Sequence, residues 1–551
     1  MGISRKIKDL KINATKAKVL IFMVLILGFT LRLYEIKKNN LWFDELLSNI
    51  YTYQFTTSRA QWHGISKISY FSNVIGGETH SILYNLLVYI YSFFFGGWES
   101  VRYLSLFFSM LSLIIFYRLS RLFLNQKESI CALIIMAFNP FQIWYAQEAR
   151  AFALSGFLAI LMIYLYIKAL RTNKLSYWIY FSIAGIANVY SNYHSFFLII
   201  VSGLILLLKE NRKFIKKWLL SFFAIIASFL PLLPVFMKQF YSVKNDFWIR
   251  PPTLSSLPLT FGVLSLGYSA TLNQLNIGIV LFIALFIYGV YAHYRCYKNY
   301  TITILSFFLL PILLIYIWSK IIMPIYLDRK FIIFSPFYYL LLSKGIISIR
   351  NRIFKASIVI CVAFLILFSL FNYYQRGLII SRPDGKDFYP GVHFKKNYSD
   401  LIAYIIKELD NKKDVICTTD VQSHIITAHY LHRYKPELMP EIVYYLFYPH
   451  MLPPEEKIYL RLKNIKADVS DVEKNTLVPY CRYFKDGRQI IDKATVVDSV
   501  DRLWLISSIW NESGPLLPNS SEIRKYILSK YKKLLSRDKD GIFVELYIKG
   551  R

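Results

Sequence analysis

The chain is a succession of long apolar blocks separated by shorter charged segments. Blocks such as Val19 to Leu33 and Ile279 to Val290 are each followed by charged or polar residues, and the apolar content of the chain exceeds what one soluble core normally needs. The pattern predicts eleven membrane-crossing helices, near residues 19–34, 99–120, 129–146, 151–168, 176–193, 195–209, 217–236, 277–294, 301–318, 331–344 and 356–373. We therefore expect a polytopic α-helical membrane protein.

The distribution of basic residues predicts the orientation of these helices. Six Lys and Arg residues precede the first block, which places the N-terminus in the cytoplasm, and an odd number of crossings then places the C-terminus outside. The alternate loops that become cytoplasmic are basic in turn: Arg118, Arg121 and Lys127; Lys168, Arg171 and Lys174; Lys209 to Lys217; Arg295 and Lys298; Lys344 to Lys355. No small-residue cleavage site follows the first block, so we expect a retained helix.

This orientation requires the apolar stretch 80–95 to lie in the outer interface rather than to cross the membrane. The stretch is also short for a membrane-spanning helix. Residues 36–98 and 237–276 then form two long outer loops with interfacial helices, anchored by aromatic side chains. Together residues 1–375 make the predicted transmembrane catalytic domain. The localisation that follows is a plasma or inner membrane, with the site on the outer or periplasmic face.

The composition changes after residue 375 to that of a soluble domain. Short apolar runs at 414–419, 502–507 and 542–548 predict strands, and 421–432 predicts a helix. We expect an extracytoplasmic α/β domain over 376–551. A disulfide between Cys417 and Cys481 of this domain stays an open alternative, for which their spacing gives little support. The clustered aromatic residues line either a glycan groove or the core; they are Tyr444, Tyr445, Phe447 and Tyr448.

The net charge of +31 is accounted for by the basic cytoplasmic loops, so it does not indicate a nucleic-acid partner. The chain lacks both a Gly-rich dinucleotide fingerprint and a Walker segment, which argues against a nucleotide-sugar or ATP site. The predicted orientation of the helices instead brings polar residues from five segments to the outer face. Ionisable groups beside hydrocarbon mark function when they converge. These residues are Asp44, Glu45, Glu78, His80, Gln147, Glu148, Arg150, Asn192, His194, Asp328, Arg329 and Lys330.

Several of these segments carry a family resemblance. Leu41-Trp42-Phe43-Asp44-Glu45, His80-Ser81-Ile82-Leu83-Tyr84 and above all Asn139 to Arg150 are similar to segments of the GT-C glycosyltransferases related to protein O-mannosyltransferases and aminoarabinose transferases. Tyr190 to His194 resembles a Tyr-Thr-His-Tyr segment, with Asn192 in place of the histidine. Asp328-Arg329-Lys330-Phe331 resembles an Arg-Tyr motif, with Lys330 in place of the tyrosine.

The resemblance implies an inverting transfer of a sugar from a polyprenyl phosphate to an extracytoplasmic acceptor. Asp44 is then the candidate general base, because an acceptor hydroxyl must lose its proton as it attacks, and Glu45 orients it or the acceptor. Arg150, Arg329 and Lys330 are candidates for holding the lipid phosphate, whose charge grows as the sugar leaves. The candidate substrate-binding residues are His80, Tyr145, Gln147, Glu148, Asn192 and His194.

No cofactor is certain, although acidic residues of some relatives bind a divalent metal, which makes Asp44 and Glu148 candidate ligands. His424, His429 and His432 follow one another on the predicted helix 421–432 at spacings that do not share one face, so we expect exposed surface histidines rather than a zinc site.

Three other functions stay open at this point. A lipid-linked saccharide transporter fits the many crossings and Pro231, Pro234 and Pro311 in helices, but transporters carry polar groups near the bilayer midplane rather than at one face. A membrane scaffold would need only one or two helices. An oligosaccharide ligase uses similar outer-face groups, and the segment Gln147 to Arg150 favours the monosaccharide enzyme. The sugar and the acceptor are not assigned.

Overall fold

A computed structural model describes residues 14–37, 41, 44–45, 82–95, 100–208, 210–245, 249, 251–375, 397–409, 414–435, 443–447, 478–485, 488–492, 500–508, 518–539 and 542–549. The chain divides into two compact units. The first comprises Met1–Ile36, Thr79–Lys238 and Ile249–Ile379, and the second comprises Lys37–Glu78, Gln239–Trp248 and Ile380–Arg551.

All the regular elements described in the first unit are helices. Its helices are α1 (Ala14–Leu33), α2 (Ile82–Phe94), α3 (Val101–Phe123), α4 (Gln126–Phe138), α5 (Pro140–Ala146), α6 (Phe152–Thr172), α7 (Leu175–Ser191), α8 (Ser195–Ile205), α9 (Ile215–Phe229), α10 (Leu233–Asn245, continuing into the second unit), α11 (Ser256–Leu266), α12 (Leu272–Ile321), α13 (Ser335–Ser348) and α14 (Arg352–Tyr374). Short 3-10 segments precede α9, α10 and α13, at Arg212–Phe214, Leu230–Leu232 and Asp328–Ile333.

The predicted apolar segments coincide with these helices. The two segments predicted at 277–294 and 301–318 are the two halves of α12, which is interrupted at Tyr297 by a non-helical backbone conformation. By length and composition, five helices of the described chain are long and apolar enough to span a membrane, or six if the bent pair α4 and α5 is one span. The eleven crossings and their orientation therefore stay a prediction.

The bend of 55° between α4 and α5 has a local cause. Pro140 has no N–H, so the Met136 carbonyl one turn earlier loses its helical partner. The fully buried Arg32 of α1 supplies donors at this point, with its guanidinium 2.6 Å from the Ala137 carbonyl and 3.3 Å from that of Met136. Asn139 caps α5 by accepting the Gln142 N–H at 3.1 Å. The sequence Asn-Pro thus ends one helix and starts the next at a fixed angle.

Two glycines let α12 and α13 approach closely. A Cβ added to Gly289 would lie 1.9 Å from the Leu341 carbonyl oxygen, and one added to Gly345 would lie 2.1 Å from the Leu285 oxygen. No side chain fits at either position. The backbones of these two helices are therefore in direct contact, and the C-terminal half of α13 is held against α12.

The second unit contains a mixed seven-stranded sheet in the order β4-β3-β2-β1-β5-β7-β6. The strands are β1 (Asp414–Thr418), β2 (Val443–Phe447), β3 (Val478–Lys485), β4 (Arg488–Asp492), β5 (Arg502–Ser508), β6 (Tyr531–Lys539) and β7 (Ile542–Lys549), and the helices are α15 (Tyr398–Glu408), α16 (Val421–Tyr434) and α17 (Pro518–Lys530). β1 pairs in parallel with β2 and β5. The three predicted strands and the predicted helix are confirmed as β1, β5, β7 and α16.

Two details of this unit differ from expectation or resolve an open point. His424 and His429 are only 6% exposed, so the prediction of exposed surface histidines is wrong for both; His424 lies 3.0 Å from the Thr418 hydroxyl. The side chain of His432 lies outside the described residues, as do those of the β2 aromatics.

Tyr444 pairs with both Cys417 and Cys481, which puts the cysteines two strands, about 9.5 Å, apart. A disulfide needs Cα atoms within about 7 Å, so this register argues against one.

Candidate active site

Three cationic side chains of the first unit converge on one aromatic ring. The guanidinium carbons of Arg150 and Arg329 lie 6.0 and 5.9 Å from the centroid of the Phe152 ring, and the ammonium of Lys330 lies 5.5 Å from it. Arg150 comes from the loop between α5 and α6, whereas Arg329 and Lys330 come from the 3-10 segment before α13. The three candidate phosphate-binding residues are thus brought together from two segments about 180 positions apart.

The position of this cluster adds to its attraction for anions. Phe152 is the first residue of α6, a helix of 21 residues whose N-terminus carries the positive end of the helix dipole. Helix N-termini bind phosphate through this dipole and their unpaired N–H groups. Arg329 and Lys330 are 7% and 5% exposed, so their charges are poorly screened by water. A phosphate is the ligand chemistry that such a group favours.

The buried side chains before Arg150 fix its loop in place. The Gln147 amide nitrogen lies 2.7 Å from the Tyr34 carbonyl oxygen and 3.0 Å from that of Arg32, and the amide oxygen accepts the Tyr373 hydroxyl at 2.6 Å. Gln147 was a candidate for substrate binding, but its amide ties α1 and α14 to this loop. Both ends of the Gln147 amide are therefore occupied by contacts within the protein.

Glu148 and Tyr145 lie beside the cluster. Glu148 is 1% exposed and accepts the indole N–H of Trp144 at 3.2 Å. The Tyr145 ring lies 4.6 Å from that of Phe152, and its hydroxyl is 2.7 Å from the Tyr268 hydroxyl. Tyr145 therefore packs on the same ring that the cations share, and Glu148 is buried two positions before Arg150 in the chain.

Asp328 supplies a carboxyl group directly before Arg329. The Thr260 hydroxyl donates to it, and the same hydroxyl lies 2.8 Å from the hydroxyl of Tyr326. Burial raises the pKa of Asp328 to about 6, although the hydrogen bond from Thr260 lowers it. Asp328 is thus close to half-protonated just below neutral pH, and its charge partly offsets the cations beside it.

His194 is held neutral at the start of α8. Its pKa is lowered to about 3, chiefly by burial and also by the charge of Lys330, against a hydrogen bond to the Ile325 carbonyl that raises it. Because a carbonyl only accepts, the His194 Nε2 must donate to Ile325 at 3.2 Å, which leaves Nδ1 as an acceptor. Asn192 accepts the His194 N–H at 3.1 Å through its side-chain oxygen and so orders this turn.

Asp44 and Glu45 belong to the second unit. Asp44 is partly buried and Glu45 is fully buried, in a short helical stretch. Nearby, the Leu41 N–H donates to the Tyr430 hydroxyl of α16 at 3.2 Å, so this segment is tied to the sheet domain. His80 and Glu78 lie outside the described residues. Among the residues that are described, no three His, Cys, Asp or Glu side chains group as a metal would require, and the metal shared by Asp44 and Glu148 stays a prediction.

The sequence pattern did not single out Phe152, Tyr268 or Thr260. Phe152 follows Arg150 by two positions, and an aromatic residue beside a matched arginine is a usable signal. Tyr268 and Thr260 come from the region of α11, which matches no motif, and only the fold brings them next to Tyr145 and Asp328.

Comparison with known proteins identifies the fold. A family model described as dolichyl-phosphate-mannose-protein mannosyltransferase matches residues 80–237, which include Arg150, Phe152 and His194. By sequence, no curated protein matches the chain. The structure is similar to ArnT from Cupriavidus metallidurans in the apo state, with a TM-score of 0.54 and 10% identity over 97% of this chain and 98% of that one. The fold is that of the GT-C glycosyltransferases.

Two further structures share this GT-C fold. ArnT from C. metallidurans bound to undecaprenyl phosphate has a TM-score of 0.55 and 11% identity, over 97% of this chain and 98% of that chain. The Archaeoglobus fulgidus oligosaccharyltransferase tethered with an acceptor peptide has a TM-score of 0.51 and 10% identity, over 96% of this chain and 80% of that chain. The resemblance seen in the sequence is confirmed at the level of the fold, and the chain is an integral membrane protein.

Proposed function

We propose that the chain is an inverting glycosyltransferase that moves a sugar from a polyprenyl-phosphate donor to an acceptor at the outer face of the plasma or inner membrane. The observation that carries the proposal is the convergence of Arg150, Arg329 and Lys330 on Phe152. The similarity to ArnT, which has been solved with undecaprenyl phosphate, supports the same class of donor. The mannosyltransferase description of the matching family model supports sugar transfer.

The cationic group suits a phosphate that leaves. The donor is a phosphodiester with one negative charge, and departure of the sugar leaves a lipid monophosphate that acquires a second. Fixed cations in a water-poor site stabilise the developing charge without reorganising. Arg150 and Arg329 offer planar paired donors, and Lys330 adds a compact charge.

The remaining roles follow from residue chemistry and the family resemblance. Asp44 removes the proton of the acceptor hydroxyl as it attacks the anomeric carbon, and Glu45 orients Asp44 or the acceptor. Tyr145, Glu148, Asn192 and His194, with His80, bind hydroxyl groups of the sugar or the acceptor. The carbon–oxygen bond to the phosphate breaks as the new bond forms on the opposite side, so a single displacement inverts the anomeric centre.

The proposal includes a topology. Eleven crossings with the N-terminus inside give basic cytoplasmic loops and place residues 376–551 outside the cell as an α/β domain. The fold supports a membrane protein of this type, and each predicted segment is helical in the structure. The test of orientation is labelling of single introduced cysteines from either side of the membrane, for example at Lys213 and Lys539.

Transfer of radiolabelled sugar from a panel of synthetic polyprenyl-phosphate sugars to an envelope extract tests the activity. Asp44→Asn should lower transfer by about 100-fold or more, whereas Asp538→Asn, an exposed carboxylate change in the same unit, should not alter it. Equal transfer by both variants would remove Asp44 from the mechanism. Lipid diphosphate oligosaccharides in the panel would reveal a ligase, and movement of labelled lipid across proteoliposomes without transfer would reveal a transporter.

A further inference from the structure

A large groove lies between α12 and α14, away from the cationic group. Its volume is about 930 Å³, near the upper end of the range for small-molecule sites, about 300–1,000 Å³. The α12 side is lined by residues from Asn276 to Tyr288, and the α14 side by residues from Ile349 to Ile358. Most of the lining is aliphatic or aromatic, and Arg350 and Asn351 give one end a polar character.

The groove wall is rigid. Leu285 lines the groove, and its carbonyl is the group that a Cβ on Gly345 would approach to 2.1 Å, so α12 is locked against α13 at this depth. The Tyr288 hydroxyl donates to the Ser348 carbonyl at 3.1 Å, which fixes the polar end. At that end Asn351 accepts the Phe354 N–H at 3.0 Å and caps α14. The groove is therefore preformed, and an occupant does not have to open it.

The groove is about as long as one leaflet of a bilayer is thick. Asn276 and Tyr288 are twelve positions apart on α12, which is about 18 Å of helix. Half of a bilayer's hydrocarbon core is about 15 Å. Val280 is 72% exposed and Ile277 57%, so in a membrane this apolar wall is covered by hydrocarbon.

The charge at one end selects the headgroup. Arg350 is exposed, and within the part of the chain that the structure describes its guanidinium forms no ion pair with an acid. Three further basic residues are exposed. Arg295 and Lys298 flank the interruption of α12 at Tyr297, and Arg352 is the first residue of α14. A lipid with acyl chains along the groove would bring its phosphate to Arg350, and anionic lipids are attracted to such basic positions.

We propose that this groove binds one anionic phospholipid, with its phosphate at Arg350 and an acyl chain between α12 and α14. On the topology proposed above, Arg350 lies in a cytoplasmic loop, so the lipid phosphate is on the opposite side of the membrane from the donor phosphate. The site is separate from the cationic group, because the two share no lining residue.

Native mass spectrometry of the full chain, titrated with phosphatidylglycerol or with phosphatidylcholine of the same acyl chains, tests this site. The wild type should bind one phosphatidylglycerol about fivefold more tightly than phosphatidylcholine, and Arg350→Gln should remove that preference. Arg352→Gln, at the same end but outside the lining, should retain it. Ala284→Phe should weaken both lipids by filling the groove, whereas Ile287→Phe, exposed on the same helix outside the lining, should not.

Three results would overturn the proposal. Undiminished phosphatidylglycerol preference in Arg350→Gln would remove the headgroup contact, and an equal loss in Arg352→Gln would indicate general surface charge. A lipid-free dimer that Ala284→Phe dissociates would assign the groove to a second copy of the chain. The measurement uses no sugar donor, so its outcome is independent of the transferase proposal.

Discussion

Replacing Lys330 with glutamine should weaken binding of undecaprenyl phosphate while leaving the protein as stable as before or more so. The structure supplies the magnitude. Each charge lies within 6.0 Å of the Phe152 centroid, so any two of the three are at most about 12 Å apart. At an effective dielectric constant of about 20, like charges at that distance repel by about 1.4 kcal/mol or more.

Without an anion, Lys330 therefore contributes repulsion with Arg150 and Arg329, and the carboxyl group of Asp328, two positions before it, offsets part of that repulsion. With a phosphate bound, the same charge becomes attractive. A hydrogen bond to a charged group is worth about 1.5–3 kcal/mol, which corresponds to a loss of about 10- to 150-fold in affinity for Lys330→Gln. A residue that only holds the fold together would show the opposite pattern, with lower stability and unchanged affinity.

The assay is titration of purified protein with a fluorescent short-chain polyprenyl phosphate, alongside thermal unfolding in the same detergent. Lys217→Gln is the matched control, since that ammonium is exposed and bonded to Asn173 at 2.7 Å. The uncharged polyprenol should bind wild type and Lys330→Gln alike. If Lys330→Gln unfolds at a lower temperature and retains the affinity of the wild type, the cations serve the fold and the donor site lies elsewhere.

Three further predictions concern pH and packing. The depressed pKa of His194 makes stability rise with pH between about 3 and 6.5, and the raised pKa of Asp328 makes it fall between about 3.8 and 6. Each slope is at most about 1.4 kcal/mol per pH unit, and the two slopes oppose each other, so the unfolding temperature of the wild type should change little near pH 5. The unfolding temperature of Asp328→Asn should rise with pH, and that of His194→Gln should fall. Parallel profiles in the two variants would refute the assignment. Gly345→Ala should destabilise by about 1–3 kcal/mol or more because its Cβ meets the Leu285 oxygen, whereas Gly156→Ala, whose nearest neighbour is Ile332 at 3.6 Å, should be tolerated in the same thermal assay. Asn139→Ala loses the cap of α5 and the bonds to the Leu264 and Ser265 carbonyls at 2.9 and 3.1 Å, so folded yield should drop sharply, and an unchanged yield would contradict the capping role.

The helical part of the fold was predictable because each apolar block must satisfy its own backbone in a membrane. Block length therefore gave the helices to within a few residues, as with α3, predicted at 99–120 and observed at Val101–Phe123. The sheet domain was less accessible. The three buried strands β1, β5 and β7 were found from their apolar runs, whereas the exposed β6, with lysines along it, was missed. Burial, not strand formation, is what the sequence pattern reports.

The matched segment Asn139 to Arg150 shows what a motif does and does not reveal. Its residues up to Gln147 are buried, and the polar ones cap α5 or tie neighbouring helices together. Only near its end do Glu148 and Arg150 reach the cationic group. A match of residue types cannot separate these two uses, because a buried glutamine and a substrate-binding glutamine look alike in sequence. The hydrogen bonds of Gln147 make the distinction.

Lys330 stands where the family that this chain resembles has a tyrosine. A tyrosine hydroxyl would offer one neutral donor to the phosphate. An ammonium in the same place adds a full charge at 5.5 Å from the Phe152 ring and also helps to keep His194 neutral. The additional charge matters most after the sugar departs, when the lipid phosphate carries two charges rather than one. The replacement should therefore affect transfer more than donor binding, so that Lys330→Tyr would lower kcat by a larger factor than it raises KM; a change confined to KM would show that the charge serves the ground state alone.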